Sequence, residues 1–311
     1  RAIQDKGRQK LLMDEAKIPT ARWAWVGDGT EAATQAAVLE AAKALGGFPL
    51  VQKARTGGYD GRGVAVLRSA EDARAPEDGG KLLPVPSFLE ELVDFQKELA
   101  VVVVRDRNGN EDSYPCVEMV FDSRANLCDS VLMPARVSQA VMEEAAAVAR
   151  AMIDCLDSYA RKNSTVQTSG ASGVFAVELF LTRDGRILVN ETAPRPHNSG
   201  HITQDACETS QFEQYYRILC GYPLGSTQLL KHGMMVNLLG EESANGEAVY
   251  EGLADALAVP GVRVHLYGKR QVRPFRKMGH LNAVGSTAEE AMDRAEKARK
   301  TLKIVGSGRA V

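Results

Sequence analysis

Between Gly173 and His201 the chain reads G-V-F-A-V-E-L-F-L-T-R-D-G-R-I-L-V-N-E-T-A-P-R-P-H-N-S-G-H. Two runs rich in β-branched and aromatic residues, 174–182 and 186–190, flank Asp184-Gly185. Asp-Gly between such runs predicts a hairpin closed by a two-residue type I′ turn. In that register Arg183 faces Arg186 and, counting outward, Glu178 faces Glu191 on the same side of the sheet. Like charges repel by roughly 4 kcal/mol at 4 Å and an effective dielectric near 20, so a cation between them is expected. Carboxylates on a rigid hairpin are the hard oxygen ligands that Mg²⁺ takes when it also carries phosphates. The plainer alternative is a solvated sheet face bearing two incidental acids. The apolar neighbours Val174, Ala176 and Phe180 argue for burial instead.

With 311 residues, 44% hydrophobic and 25% charged, the chain has room for two or three subdomains. A net charge of −2 speaks against a nucleic-acid protein, which would usually be basic. No apolar run reaches membrane-span length and no signal peptide is visible, so a membrane role is not expected and the cytoplasm is, or a plastid in a plant or alga. Five cysteines, Cys116, Cys128, Cys155, Cys207 and Cys220, are scattered without metal-ligand spacing, as unpaired structural thiols are.

Periodicity and caps predict helices over 5–16, 30–45 (capped by Thr30), 69–74, 138–156, 210–221, 250–257 and 287–302, the last two long ones opening on the capping boxes Ser210…Glu213 and Thr287…Glu290. Strands are expected over 22–26, 50–53, 87–92, 97–105, 113–121, 233–239 and 262–267. Residues 157–172 read as a polar surface insertion.

Three further stretches carry chemistry. Arg55-Thr-Gly-Gly-Tyr-Asp-Gly-Arg-Gly63 is a glycine-rich loop whose backbone N–H groups can approach phosphates, though a hairpin tip would show the same glycines. Lys53 ends the strand before it, and Lys10 is a second candidate phosphate lysine or a plain helix-surface charge. F-L-E-E-L-V-D-F-Q-K-E-L, 88–99, holds Glu90, Glu91, Val93 and Glu98; Asp94 reads as a solvated charge. Finally Y-G-K-R-Q-V-R-P-F-R-K-M-G-H, 267–280, gathers Lys269, Arg270, Arg273, Arg276 and Lys277, a basic cluster suited to an anion. His197 and His201 stand four apart, but Pro196 makes the segment a loop and no third ligand is spaced for a closed tetrahedral zinc site.

N-E-x-A-P-R-x-H-N-S-G-H after V-E-L-F, together with G-G-Y-D-G-R-G and M-P-A-R-V (133–137), resembles the 5-(carboxyamino)imidazole ribonucleotide synthetases, ATP-grasp enzymes of purine biosynthesis, from Gln4 to about Lys303. The resemblance implies an α/β chain of the α+β, ATP-grasp type: a small subdomain over 1–92 with the glycine loop, a central one over 93–231 with the metal hairpin, and a C-terminal one over 232–311 with the basic hairpin. It implies Mg²⁺ on Glu178 and Glu191. It places ATP on Lys10, Lys53, Gly58, Gly61, the adenine hinge Glu90, Glu91 and Val93, and the ribose carboxylate Glu98. It gives Arg195 to carboxyphosphate, and His197, Asp60 and Tyr59 to the imidazole amine. Arg62, Asn198, Lys269, Arg276 and Lys277 would bind the ribonucleotide, the last three through its 5′-phosphate. The implied substrates are ATP, bicarbonate and 5-aminoimidazole ribonucleotide, in a homodimer fused or coupled to the mutase that uses the product. Family members carry Gly where Phe275 stands, and a Rossmann-like N-terminal domain that nothing here matches, so a piece of a longer protein is expected. Formate-dependent glycinamide ribonucleotide transformylase, which shares the metal hairpin, and a non-catalytic nucleotide-binding fragment are the rival readings.

Overall fold

The computed structural model describes residues 2–57, 63–122, 127–163 and 170–308. It divides into two compact units, each built from separated stretches of chain: Arg1–Glu98, Ala147–Ala171 and Val177–Pro194 form one, and Leu99–Ala146, Ser172–Ala176 and Arg195–Val311 the other. The three continuous subdomains expected above remain a proposal beside this division.

The first unit opens with α1 (Lys6–Glu15), β1 (Trp23–Trp25), α2 (Gln35–Ala44), β2 (Leu50–Ala54), β3 (Val64–Leu67) and β4 (Ser87–Glu91). Its strands form an antiparallel sheet in the order β1-β4-β2-β3. Val38, Ala41 and Ala42 on α2 and its C-cap Leu45 pack with Leu50, Leu67 and Leu89 into one core. Strand β5 (Phe95–Arg105) begins in this unit and continues into the other, where β6 (Glu111–Ser113), β7 (Val117–Asp122) and β8 (Leu127–Met133) follow. Helix α3 (Gln139–Asn163) leads to β9 (Gly173–Thr182) and β10 (Ile187–Ala193). The second unit is completed by α4 (Thr203–Ala206), α5 (Gln211–Cys220), β11 (His232–Leu239), β12 (Gly246–Glu251), α6 (Leu253–Leu257), β13 (Val262–Leu266), β14 (Gln271–Val272), β15 (Lys277–Gly285), α7 (Ala288–Thr301) and β16 (Lys303–Gly306). Its larger sheet runs β5-β7-β8-β11-β15-β13, and a three-stranded one runs β14-β12-β16.

Several local expectations hold for the reasons given. Ser210 accepts from the Glu213 amide and Gly221 closes α5 in the left-handed region; Thr287 accepts from the Glu290 amide at the start of α7. Others are corrected. Thr34, not Thr30, caps α2, because the Thr30 hydroxyl is held by Asp28 at 2.7 Å. Residues 69–74 are turns rather than a helix, since Asp72 folds back to accept from the Arg68 amide at 2.8 Å. The strand expected over 113–121 is broken, as Pro115 has no N–H to give a ladder. Helix α3 runs into the supposed insertion, continued by the Asp157–Arg161 pair at 2.8 Å. Residues 246–251 are a strand, because Tyr250 finds Ile304 across from it; the helix follows. All five cysteines are free. Among the described residues no helix is long and apolar enough to cross a membrane.

The 182–187 turn is the correction with most consequence. The Gly185 amide donates to the Thr182 carbonyl at 3.0 Å, and the Thr182 amide to the Arg186 carbonyl at 3.0 Å. Gly185 is left-handed at φ 86° and Asp184 is not, whereas type I′ needs positive φ at both central residues. The hairpin therefore has a three-residue loop, Arg183-Asp184-Gly185, with the glycine in the bulge position. Thr182 faces Arg186, and regular pairing outward sets Glu178 opposite Asn190 rather than Glu191. A one-residue slip exchanges the faces.

Candidate active site

In the first unit a polar cluster is built on α1, β2, β4 and the β9–β10 hairpin. Glu90 on β4 is buried between Lys10 and Lys53: it pairs with Lys10 at 2.8 Å and with Lys53. Burial alone would raise the Glu90 carboxyl, but the two ammonium groups prevail and hold it below its ordinary value. Burial, more than Glu90 restores, lowers Lys10, which also donates to Thr20 Oγ1 at 2.6 Å. Lys10 is 2% exposed, so it is no helix-surface charge. The Lys53 ammonium reaches past Glu90 to Asn190 Oδ1 at 2.7 Å, and Asn190 Nδ2 lies 3.5 Å from Glu178 Oε2.

Glu178 and Glu98 carry the opposite strain. Burial first, then Glu191 and Glu98, push the Glu178 carboxyl up to about 8, against Lys6 and Lys53. Burial raises Glu98 to about 7, again opposed by Lys53. Glu191 is met by Lys6 at 2.5 Å. Glu178 and Glu191 thus interact, though not as the cross-strand pair expected from the sequence. Among the described residues no group of three or more His, Cys, Asp or Glu could hold a metal alone. Mg²⁺ bound with phosphates asks for one or two carboxylates, and two acids whose crowding raises one of them fit such an ion. Glu91 pairs with Arg22 and Asp94 with Arg183 at 2.9 Å, both at the surface. With Thr20, Val93, Thr182 and Leu188 they line a cleft of about 500 Å³.

Two residues of this cluster escaped the sequence reading, Lys6 and Asn190. Asn190 was hidden by the misjudged turn: the correct register places it opposite Glu178. Gly58, Tyr59, Asp60, Gly61 and Arg62 lie outside the described residues.

The second unit holds the remaining candidates. Arg195 is exposed, with Nη1 on the Pro196 carbonyl at 3.1 Å. His197 is half-buried, and Asn198 has a buried Nδ2 with no hydrogen-bond partner among the described residues. On the basic hairpin Lys269 Nζ donates to the Lys277 carbonyl at 2.5 Å and Arg276 Nη1 to the Gln271 carbonyl at 2.7 Å, while Arg270 is neutralised by Glu247 at 3.0 Å. Phe275 sits at φ 57°, in the left-handed region that glycine adopts without strain.

An ATP-grasp domain is matched over residues 11–212, and a phosphoribosylaminoimidazole carboxylase C-terminal domain over 233–294. The N5-carboxyaminoimidazole ribonucleotide synthase of Bacillus subtilis is 42% identical over 78% of this chain and 58% of its own length. That of Synechococcus elongatus is 38% identical over 97% and 70%. The phosphoribosylaminoimidazole carboxylase of Ogataea methanolica is 39% identical over 92% and 49%. The chain thus spans from about half to seven-tenths of the length of these relatives. The crystal structure of the Thermotoga maritima N5-carboxyaminoimidazole ribonucleotide synthetase matches with a TM-score of 0.80 and 40% identity, over 98% of this chain and 73% of that one. An Aspergillus clavatus N5-carboxyaminoimidazole synthase, solved with ADP and 5-aminoimidazole ribonucleotide, matches with a TM-score of 0.80 and 30% identity over 96% and 73%. With the hairpin acids, the buried lysines and the His-Asn loop in place, the chain belongs to the N5-carboxyaminoimidazole ribonucleotide synthase family of ATP-grasp proteins.

Proposed function

We propose that the chain carries the carboxylation of 5-aminoimidazole ribonucleotide: ATP, bicarbonate and the aminoimidazole give the N-carboxyamino ribonucleotide, ADP and phosphate through carboxyphosphate. Bicarbonate is a poor electrophile, and phosphorylating it creates a leaving group. The protein's work is then positioning and charge neutralisation. Lys10 and Lys53 meet the nucleotide phosphates, with Glu90 occupying them beforehand. Glu98 holds the ribose, and the backbone around Glu91 and Val93 reads adenine. Glu178 and Glu191 would hold Mg²⁺, whose charge offsets that of the phosphates. Gly58 and Gly61 would serve the nucleotide, and Tyr59, Asp60 and Arg62 the ribonucleotide. Arg195 steadies carboxyphosphate with its planar fork. His197 and Asn198 orient the imidazole, and Lys269, Arg276 and Lys277 take the 5′-phosphate. A homodimer coupled to the mutase that consumes the product belongs to the same proposal.

The observation that carries the reading is the gathering of three acids, Glu178, Glu98 and Glu191, with Lys53 and Lys6 beside them. A fold keeps such a cluster where a cation is to be bound. The orphaned Asn198 Nδ2 supports it from the second unit. The test is ADP release with ¹³C-bicarbonate, with formate, and with the aminoimidazole omitted. Bicarbonate- and aminoimidazole-dependent turnover is expected. Formate dependence with glycinamide ribonucleotide would assign the transformylase reaction instead, and ATP binding without turnover a non-catalytic role.

A further inference from the structure

Gln211, the first residue of α5, is completely buried, and its side chain is spent on the active loop. Its Oε1 accepts from the His197 amide at 2.9 Å, its Nε2 donates to the His197 carbonyl at 2.8 Å, and the same Nε2 lies 3.0 Å from His201 Nδ1. The amide's orientation is decided by the backbone. A peptide N–H can only donate, so the group facing it is the oxygen, and the NH₂ must then serve both the carbonyl and the ring. His201 Nδ1 is therefore an acceptor. The ring is neutral, burial and the neighbouring His280 and His197 having lowered it to about 3, so its proton sits on Nε2. His197 Nδ1 accepts from the Ser199 amide at 3.3 Å and lies 3.0 Å from Ser199 Oγ.

Behind His201 the surroundings uphold this choice. The His280 ring stacks on it at 4.5 Å between centroids and the His265 ring on His280 at 4.6 Å. His265 and His280 are cross-strand partners on β13 and β15. His280 lies between the Tyr267 hydroxyl at 3.0 Å and Gln204 Oε1 at 3.2 Å. The Asp205 carboxylate is occupied by Arg263, by His265 at 3.0 Å and by Asn282 at 2.7 Å. The Asn282 side chain also donates to the His201 carbonyl at 3.1 Å.

We infer that Gln211 is a positioning residue: its buried amide clamps the backbone of His197 and holds His201 as the neutral Nε2–H tautomer, so that the 197–201 loop meets the aminoimidazole in one fixed arrangement. This rests on the proposed function for the meaning of the loop, but not for the tautomer. Gln211→Met keeps the volume and removes both donor and acceptor. Gln211→Glu keeps the acceptor toward the His197 amide and supplies no N–H to His201, drawing a proton onto Nδ1 instead.

The experiment is ¹⁵N-histidine spectroscopy of the full-length protein and both variants, with kinetics in parallel. In the unsubstituted protein His201 should show one neutral Nε2–H pattern. In Gln211→Met the His201 pattern should become mixed, and kcat should fall by about a hundredfold, as for a reacting group misplaced by an ångström, with the KM for ATP unchanged. Gln211→Glu should protonate His201 Nδ1 and displace the pH–rate profile. A Nδ1–H form of His201 in the unsubstituted protein overturns the inference without any variant having to fold. So does loss of turnover in Gln211→Met with an unchanged histidine spectrum, the mark of a merely structural glutamine. Absence of aminoimidazole-dependent ADP release in the unsubstituted protein would instead defeat the proposed function, leaving the spectra to decide the role of Gln211.

Discussion

At the scale of single residues, buried polar side chains decide what this protein can do. Glutamine is used repeatedly as a piece of detachable β-ladder. Gln9 exchanges hydrogen bonds with the backbone of Thr192, Gln52 with Leu83 and Gln214 with Gly225, as Gln211 does with His197. Each satisfies both backbone groups of its partner, Leu83, Gly225 and His197 in loops and Thr192 near the end of β10. The acids behave differently. Glu178 has its folded carboxyl raised to about 8 from 4.5, so the folded state binds the extra proton between those values. Stability without metal therefore declines as pH rises from about 4.5 to 8. Glu178→Gln should raise the metal-free melting temperature by a few degrees at pH 8, and the advantage should shrink toward pH 5, while Mg²⁺-dependent turnover disappears. Thermal scans of both proteins at the two pH values check it, and equal shifts at both would refute the buried charge. Lys10→Met works in reverse. It strips one partner from a carboxylate that cannot reach water, and should cost about 3–5 kcal/mol in denaturant unfolding.

Among elements, the β9–β10 hairpin is the most sensitive. Gly185 holds φ 86°, and any side chain with a Cβ is strained there. Gly185→Ala should lower stability by about 1–2 kcal/mol, and Gly185→Asn by less, because asparagine visits this region more readily. Denaturant midpoints for the two variants would show it, and an alanine no worse than asparagine would contradict the three-residue loop. The β13–β15 pair carries its own device. His280 is buried and His201 half-buried, and both are lowered to about 3, His280 by burial and His265. The unfolded chain takes up protons at these positions near pH 6.5, so stability falls as pH drops from about 6.5 toward 3. The slope should approach about 1.4 kcal/mol per pH unit for each ring. Asp205, lowered to about 2, adds its own loss below about 3.8. Urea titrations between pH 7 and 4 measure this, and His280→Asn should roughly halve the slope above pH 4.

Across the whole molecule the proposed chemistry is divided by charge. The first unit gathers acids around two buried lysines, and the second offers the cations of the 267–280 hairpin. Lys277→Ala should therefore raise the KM for the ribonucleotide by roughly tenfold to a hundredfold, the worth of about 1.5–3 kcal/mol for one charge-assisted contact. The KM for ATP should stay where it is. Equal weakening of both substrates in steady-state kinetics would mean that the hairpin also reaches the nucleotide.

Much of this was legible in the residues. The capping boxes of α5 and α7, the Lys53 strand and the two strands of the β9–β10 hairpin are local signals, set by side chains that bond within a few positions or alternate along a strand. Where local signals competed, only the tertiary structure chose. Asp184-Gly185 suits a two-residue or a three-residue turn, and a slip of one residue exchanged Glu191 for Asn190 opposite Glu178. Tyr250 suits a helix or a strand, and pairing with Ile304 made it a strand. Lys10 suits a surface or a core, and Glu90, eighty positions away, made it core. The histidine stack and the Gln211 clamp had no sequence signature, because their partners come from separated strands and loops. Charge burial and hydrogen-bond satisfaction depend on what surrounds a group in space, and no spacing along the chain records that.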